Sequence, residues 1–248
     1  MSSPAAGESS ASTRKCTATR TEKPRSRSPT TAPSGPSSEP MQGTTMKTDF
    51  DFLSLCRLRR SVRRFSPEPL RPGELAWILE CARLAPSACN LQPWQVVIVD
   101  DRDTIRDLSS CAAFGLSKTA APGSIAFIAD APVVLALCLK RGLAHKVSSL
   151  VDMDFSCLDL GIFGEHVVLA AASLGIGSCW IGMASERRVR PVLGLPRSVR
   201  LLALIALGRP PSGSLASLES PPRRRMDAAE FCWHNRYGVP WNPPPAER

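Results

Sequence analysis

The stretch RLRRSVRRF, residues 57–65, sets five guanidiniums around one hydroxyl. Guanidiniums are rigid forks that grip phosphate or carboxylate oxygens through paired hydrogen bonds. Arg59 and Arg63 would share a face if a helix ran through them, Arg60 lies beside them, and Ser61 adds a hydroxyl. The same run fits a solvated helix end, where cations gain about 0.3–1 kcal/mol from the helix dipole. A second stretch, PSACNLQPW at 86–94, puts Pro86, Ser87, Ala88, Asn90 and Gln92 directly before an apolar run. Buried polar groups need partners. These side chains either close a turn on their own backbone or meet a ligand with its own donors and acceptors. A third, GIGSCWIGMAS at 175–185, holds Trp180 and Ile181 and ends its apolar part at Gly182, whose backbone would be open to whatever lies above it. Trp180 fits a core position equally well. A fourth, PPRRRMD at 221–227, brings Arg223 and Arg225 and fits either an anion grip or a solvated run.

The elements around these stretches are set by periodicity. Residues 49–58 read as a short helix with Phe52, Leu55 and Cys56 on one face. Pro67 and Pro69 break the chain, and Pro72 suits the first turn of a second helix, carried by Leu75, Ile78, Leu79 and Ala82 and ended by Pro86. WQVVIVD is a buried strand, 101–110 a helix, and 132–139 a second strand. The polar residues 141–149 suit a loop or lid. From 151 a long helix with a narrow polar stripe occupies the centre, stopped by Gly175 and Gly177. SCWIG is a short strand, 186–193 a helix, and RLLALIALG a third core strand. The last helix is expected over 227–235, followed by an aromatic, proline-rich arm that suits either a partner subunit or a loosely packed tail. Helices and strands mix without strict βαβ alternation, which favours α+β. The G-x-G-x-x-G fingerprint is absent.

Composition narrows the classes. The first 46 residues are Ser, Thr, Pro and Arg with almost no large apolar side chain. They are expected to be a disordered low-complexity tail, or an over-long gene product whose true start is Met41 or Met46, ahead of one domain over 47–248. The net charge is +9, of which the tail supplies +3 from six Lys/Arg against three Glu. A basic body is compatible with nucleic acid, an acidic surface or an anionic small ligand. Neither arginine cluster is interleaved with aromatics, which weighs against single-stranded nucleic acid. The nine cysteines show no C-x-x-C spacing and suit a reducing cytoplasm. His145, His166 and His234 are too scattered for a metal site. No stretch reads as a membrane span: Asp130 and Pro132 break one candidate and glycines another.

Taken in order, five blocks resemble the nitroreductase family of FMN-dependent oxidoreductases: RRSVRRF, APSACNLQPWQVVIV, LDLGIFGEHVVLAAASLGIGSCWIG, LIALGRP and RRRMDAAEFCWHNRYG. The resemblance runs from Phe52 to Tyr237. It implies an α+β nitroreductase-like fold, a central mixed or antiparallel sheet flanked by helices, and a homodimer with FMN at its interface. It further implies that Arg59, Ser61 and one or both of Arg223 and Arg225 hold the phosphate and ribityl chain, with Arg60 adding backbone and ribityl contacts. Arg63 would face N1 and O2 of the ring. Pro86, Ser87, Ala88 and Asn90 would line the flavin, Trp180 and Ile181 would pack on it, and the Gly182 N–H would reach N5. Arg63 and Gly182 would thus carry the catalytic role. A hydride from NADH or NADPH would enter and a small acceptor would leave with the electrons, in a ping-pong scheme without a protein nucleophile. The acceptor is open among nitroaromatics, quinones, enones, free flavin and halogenated phenols. Arg209, where the family usually has Tyr, reads as a surface change of little consequence. Two alternatives stand beside this reading. One is a same-fold flavin enzyme that remodels the flavin, or oxidises or dehalogenates a specific metabolite. The other is a basic protein that binds nucleic acid or an acidic surface. The leading reading expects no nucleic acid, no membrane and a cytoplasmic site.

Overall fold

The apolar runs pair into one sheet. In the computed structural model, which describes residues 51–112, 125–140, 155–211, 213, 215 and 223–241, the strands are β1 (Trp94–Val99), β2 (Val133–Lys140), β3 (Gly177–Ile181) and β4 (Val199–Gly208). The tail, the 141–149 segment, the first residues of the expected central helix and the end of the arm lie outside the described residues. The strand order is β1-β2-β4-β3, and every pair is antiparallel. Of the two forms expected, the sheet is therefore antiparallel; a single parallel bridge, Ser61 to Ser178, adjoins its β3 edge.

Helices cover both faces. They are α1 (Phe52–Leu58), α2 (Glu74–Arg83), α3 (Arg102–Cys111), α4 (Phe127–Asp130), α5 (Phe155–Ser173), α6 (Glu186–Val192) and α7 (Ala228–Phe231). Strand side chains alternate between faces. Leu135, Leu137, Ile205 and Leu207 pack with Ile78 of α2 and with Leu160, Phe163 and Val167 of α5. Val134, Ala136, Leu204 and Ala206 pack with Ile105 and Leu108 of α3, Ile128 of α4 and Val189 of α6. A sheet covered on both faces needs apolar side chains on both, so β2 up to Leu139 and β4 from Leu201 read as unbroken apolar runs. Side chains cap the starts of α1 and α3. Asp51 accepts from the Ser54 N–H at 3.1 Å, and Asp101 from the Thr104 N–H at 2.8 Å. Hydrogen bonds from the side-chain hydroxyls of Ser54 and Thr104, and then from their backbone N–H groups, hold both carboxyls below the usual carboxylate range.

Helix α5 is the core helix. By length and composition it could cross a membrane, with a mean hydropathy of 1.4, and half of that stretch is buried inside the protein. It packs tightly on the sheet at Gly164, where a Cβ would sit 2.2 Å from Trp180 Cη2 and 2.3 Å from Cζ2. Gly164→Ala should therefore lower the melting temperature. Overpacking costs about 1–3 kcal/mol, against a helix-propensity gain of about 1 kcal/mol for replacing glycine. Trp180→Phe removes the two clashing atoms and should rescue the Gly164→Ala variant in part, as thermal denaturation of the single and double variants would read.

Two expectations are corrected here. The last helix does not reach 235: α7 ends at Phe231, and the chain folds back into a turn closed by a Trp233–Pro240 bridge. Asn235 (φ 63°) and Gly238 (φ 86°) take left-handed backbone, and the His234 N–H donates to Val239 O at 2.8 Å. Gly238 and Pro240 suit that turn and oppose a helix. Arg209 is not a surface residue either. Its side chain is 13 % exposed and lies 2.5 Å from the 6 % exposed carboxylate of Glu74.

Candidate functional site

The arginine run leaves its helix before the site begins. Arg59 takes non-helical backbone (φ −58°, ψ 123°) and ends α1, so Arg59 and Arg63 do not share a helix face. Beyond it the chain runs along β3: the Val62 N–H donates to Ser178 O at 2.9 Å. Gly177 makes that approach possible, because a Cβ there would meet Val62 at 2.8 Å. Val62 is buried while Ser61 and Arg63 are exposed, the alternation of an extended chain. Arg63 is close enough for its charge to act on the Cys179 thiol, opposing the burial that raises that thiol's pKa.

Arg223 closes the other side. Its guanidinium donates to Arg59 O and Arg57 O, each at 2.5 Å, and to Cys56 O at 3.3 Å. These are carbonyls at the end of α1 that have no partner within the helix. Arg223 is thereby a helix cap, which ties the late arginine segment to the early one. A cleft of about 390 Å³ opens there, lined by Cys56, Arg57, Arg60, Arg223 and Arg225. Four of these side chains are guanidinium groups and none is a carboxylate. Burial lowers the Arg223 pKa first, and the neighbouring charges of Arg59, Arg225 and Arg60 lower it further. Like charges held this close favour an anion among them. The donor set fits a phosphate: several planar cations converge, and among the described residues Arg225 gives a bond only to its own neighbour's carbonyl, Arg224 O, at 3.0 Å. Arg57 joins this cleft although its place in the sequence gave it no role; only the position of Arg223 over the end of α1 reveals it.

The 86–92 turn is built differently. Ser87 Oγ accepts from the Gln92 N–H at 3.0 Å, and Asn90 Oδ1 accepts from Gln92 Nε2 at 3.1 Å. The polar side chains thus close the turn on itself, with Gln92 as its clasp. In these bonds both residues act as acceptors, so the Ser87 hydroxyl hydrogen and the Asn90 amide hydrogens are what each could turn to a ligand. Cys89 (φ 50°), Asn90 (φ 54°) and Gln92 (φ 45°) all sit in left-handed backbone, uncommon for residues other than glycine. One further bond leaves the turn: the Ala88 N–H donates to Asp159 Oδ1, on α5, at 3.0 Å.

The β3 residues divide. Ile181 is 6 % exposed and packs into the cluster on the α3 side, so its side chain belongs to the core and is not a ring contact. Trp180 is half-buried on the opposite face, against Gly164, with the α5 cluster. The period of a strand enforces this split. What the strand end offers outward is backbone, at the exposed Gly182. The structure therefore brings together Arg59, Arg60, Arg223 and Arg225, and sets the Ser61–Arg63 segment beside the start of β3, at Gly177 and Ser178, with Gly182 at the strand's other end. The turn with Pro86, Ser87, Ala88 and Asn90 is anchored separately, through α5. Among the described residues, no cluster of three or more His, Cys, Asp or Glu could hold a metal ion.

Comparison with known proteins identifies the family. The Nitroreductase family matches residues 57–209, which include both the early arginine run and the 86–92 turn. An NADH dehydrogenase of Thermus thermophilus is 33 % identical over 194 residues, covering 67 % of this chain and 90 % of that protein. An NADPH-flavin oxidoreductase of Vibrio harveyi is 28 % identical over 159 residues, covering 61 % of this chain and 62 % of that protein. The crystal structure of a nitroreductase family protein from Streptococcus pneumoniae superposes with a TM-score of 0.60 at 24 % identity, covering 74 % of this chain and all of that one. With the match spanning most of the described body and the same fold recovered, the chain belongs to the nitroreductase family.

Proposed function

We propose that this protein is an FMN-dependent oxidoreductase that takes electrons from NADH or NADPH and passes them to a small organic acceptor in a ping-pong cycle. The observation that carries this reading is the cleft at the end of α1, where the charges of Arg59, Arg60 and Arg225 crowd Arg223. Relatives named NADPH-flavin oxidoreductase and FMN reductase support the same class. When bound, FMN supplies two-electron transfer between the nicotinamide and the acceptor.

The chain's own residues do the rest. Arg60 and Arg225, with Arg59 and Ser61 beside them, bind the phosphate and ribityl chain. The Gly182 backbone N–H donates at the reacting edge of the ring. Arg63 sets a fixed cation where two-electron reduction brings negative charge. A charge-assisted bond is worth about 1.5–3 kcal/mol, and 1.4 kcal/mol is about 30 mV for a two-electron couple. Arg63→Gln should therefore make the bound flavin's potential more negative by some tens of millivolts, as spectroelectrochemistry would read; an unmoved potential removes Arg63 from this role. The turn at 86–90 supplies the second wall from another copy of the chain. Exposed Phe52, Leu158, Phe231, Trp233 and Tyr237 support such a homodimer, because apolar surface of this kind is normally covered. The site of action is the cytoplasm.

The test is an anaerobic titration of the FMN-loaded protein. The yellow colour should bleach with NADH or NADPH and return with air or an acceptor. Protein that refuses FMN sinks the proposal, and flavin that ignores both nicotinamides moves it to a same-fold enzyme with another donor.

A further inference from the structure

We propose that Asp159 is a positioning residue that holds the 86–90 turn in its flavin-facing shape; this rests on the reading of that turn as a wall of the flavin site. Asp159 is 4 % exposed, on a helix whose other buried residues are all apolar or glycine. A buried carboxylate is costly unless hydrogen-bonded. The partner that the structure gives it is the Ala88 N–H at 3.0 Å, 71 residues away in sequence. A backbone amide is a choice of place: this bond fixes main chain, where a cation would have neutralised the charge.

What it fixes is strained. Three residues within 89–92 take left-handed backbone without being glycine. Such conformations persist only where the surroundings over-determine them. The Ser87–Gln92 and Asn90–Gln92 bonds act inside the turn and can set its shape but not its location. Among the described hydrogen bonds of the turn, Asp159 alone reaches another element. Asp159 also stands five positions before Gly164, against which Trp180 packs. One helix therefore sets the height of the turn and of β3 together.

The test uses the full chain with and without FMN. Asp159→Leu removes the acceptor and suits the apolar helix, and Asp159→Asn keeps an oxygen that can accept. In the Leu variant the Ala88 amide should lose its protection from hydrogen exchange. FMN should bind at least about tenfold more weakly, as loss of a charge-assisted bond implies. The Asn variant should recover most of both, and buried Cys138 should label with a disulfide reagent at the wild-type rate in each. Unchanged Ala88 exchange overturns the proposal, as does accelerated labelling at Cys138, which would mean general loosening. A loosened turn with wild-type FMN affinity also overturns it, since the turn would then not serve the flavin. If the unmodified protein itself fails to bind FMN, the functional reading above fails, and the exchange and labelling results still decide what Asp159 holds.

Discussion

Arg209→Ala should lower the unfolding free energy by about 3–5 kcal/mol, the cost of leaving one member of a buried ion pair alone. The Arg209 guanidinium meets Glu74 Oε1 at 2.5 Å, with side chains 13 % and 6 % exposed. An exposed pair would contribute about 0–1 kcal/mol, so burial decides the magnitude. Glu74 is committed twice: its Oε2 also accepts from the Arg71 N–H at 2.8 Å. It opens α2, where a negative charge is favoured by the helix dipole. Arg209 follows β4, and its carbonyl accepts from the Ser66 N–H at 2.8 Å. The pair thus joins the start of α2, the end of β4 and the linker after the arginine run. Without the guanidinium, the buried Glu74 carboxylate keeps only the neutral Arg71 N–H among its described partners, and its charge is uncompensated. At about 2–4 °C per kcal/mol for a chain of this size, the melting temperature should fall by roughly 6–20 °C. Removing both charges together, as Glu74→Leu with Arg209→Met, should cost far less than Arg209→Ala alone, because no charge is left unpaired. A melting temperature unchanged in Arg209→Ala would show that the pair is solvated and that the surface reading of Arg209 was right.

The elements were legible where the cause is local. The β2 and β4 runs announce a sheet covered on both faces, and Gly175 (φ 71°) stops the central helix where its pattern ends. What was hidden is non-local. Arg209 finds its partner 135 residues away, and Asp159 finds its own at 71. No periodicity records such distances. A signal existed for Asp159 all the same: an acid among the buried apolar residues of α5 must have a partner. For Arg209 the signal was a cation immediately after a strand whose last six residues are buried. Helix α4, with four residues, is too short for a period to show. In the site itself, the motifs located the arginine cluster and the turn but could not rank the members. Arg223 and Arg225 are equivalent in a string of three arginines, and only the carbonyls at the end of α1 separate them. Trp180 and Ile181 are adjacent in sequence and opposite in space, so a motif that includes both cannot make both face one ligand.

That separation gives the sharpest test of the cleft. Arg225→Ala should weaken FMN binding by about 1.5–3 kcal/mol, the worth of a hydrogen bond to a charged group. That is a loss of roughly ten- to a hundredfold in Kd. Arg225 is exposed, and its bond at 3.0 Å goes only one residue back, so the melting temperature of the flavin-free protein should hardly move. Riboflavin, which lacks the phosphate, should bind the variant as it binds the unmodified protein. The ratio of FMN to riboflavin affinity therefore isolates the phosphate contact from everything the ring and ribityl chain contribute. Arg223→Ala should behave otherwise. It strips the partners from Arg59 O, Arg57 O and Cys56 O and unfastens the end of α1. The flavin-free protein should melt earlier, and FMN affinity should fall because Arg59 and Arg60 lose their fixed backbone. Arg223→Lys should rescue little, since a single ammonium cannot reproduce a planar fork set across several carbonyls. Added salt should weaken FMN binding to the unmodified protein more than to Arg225→Ala, because one screened cation is already gone. An unchanged FMN-to-riboflavin ratio in Arg225→Ala would take the phosphate away from this cleft. A fall in that ratio, with stability lost only in Arg223→Ala, assigns anion binding to one arginine and helix capping to the other.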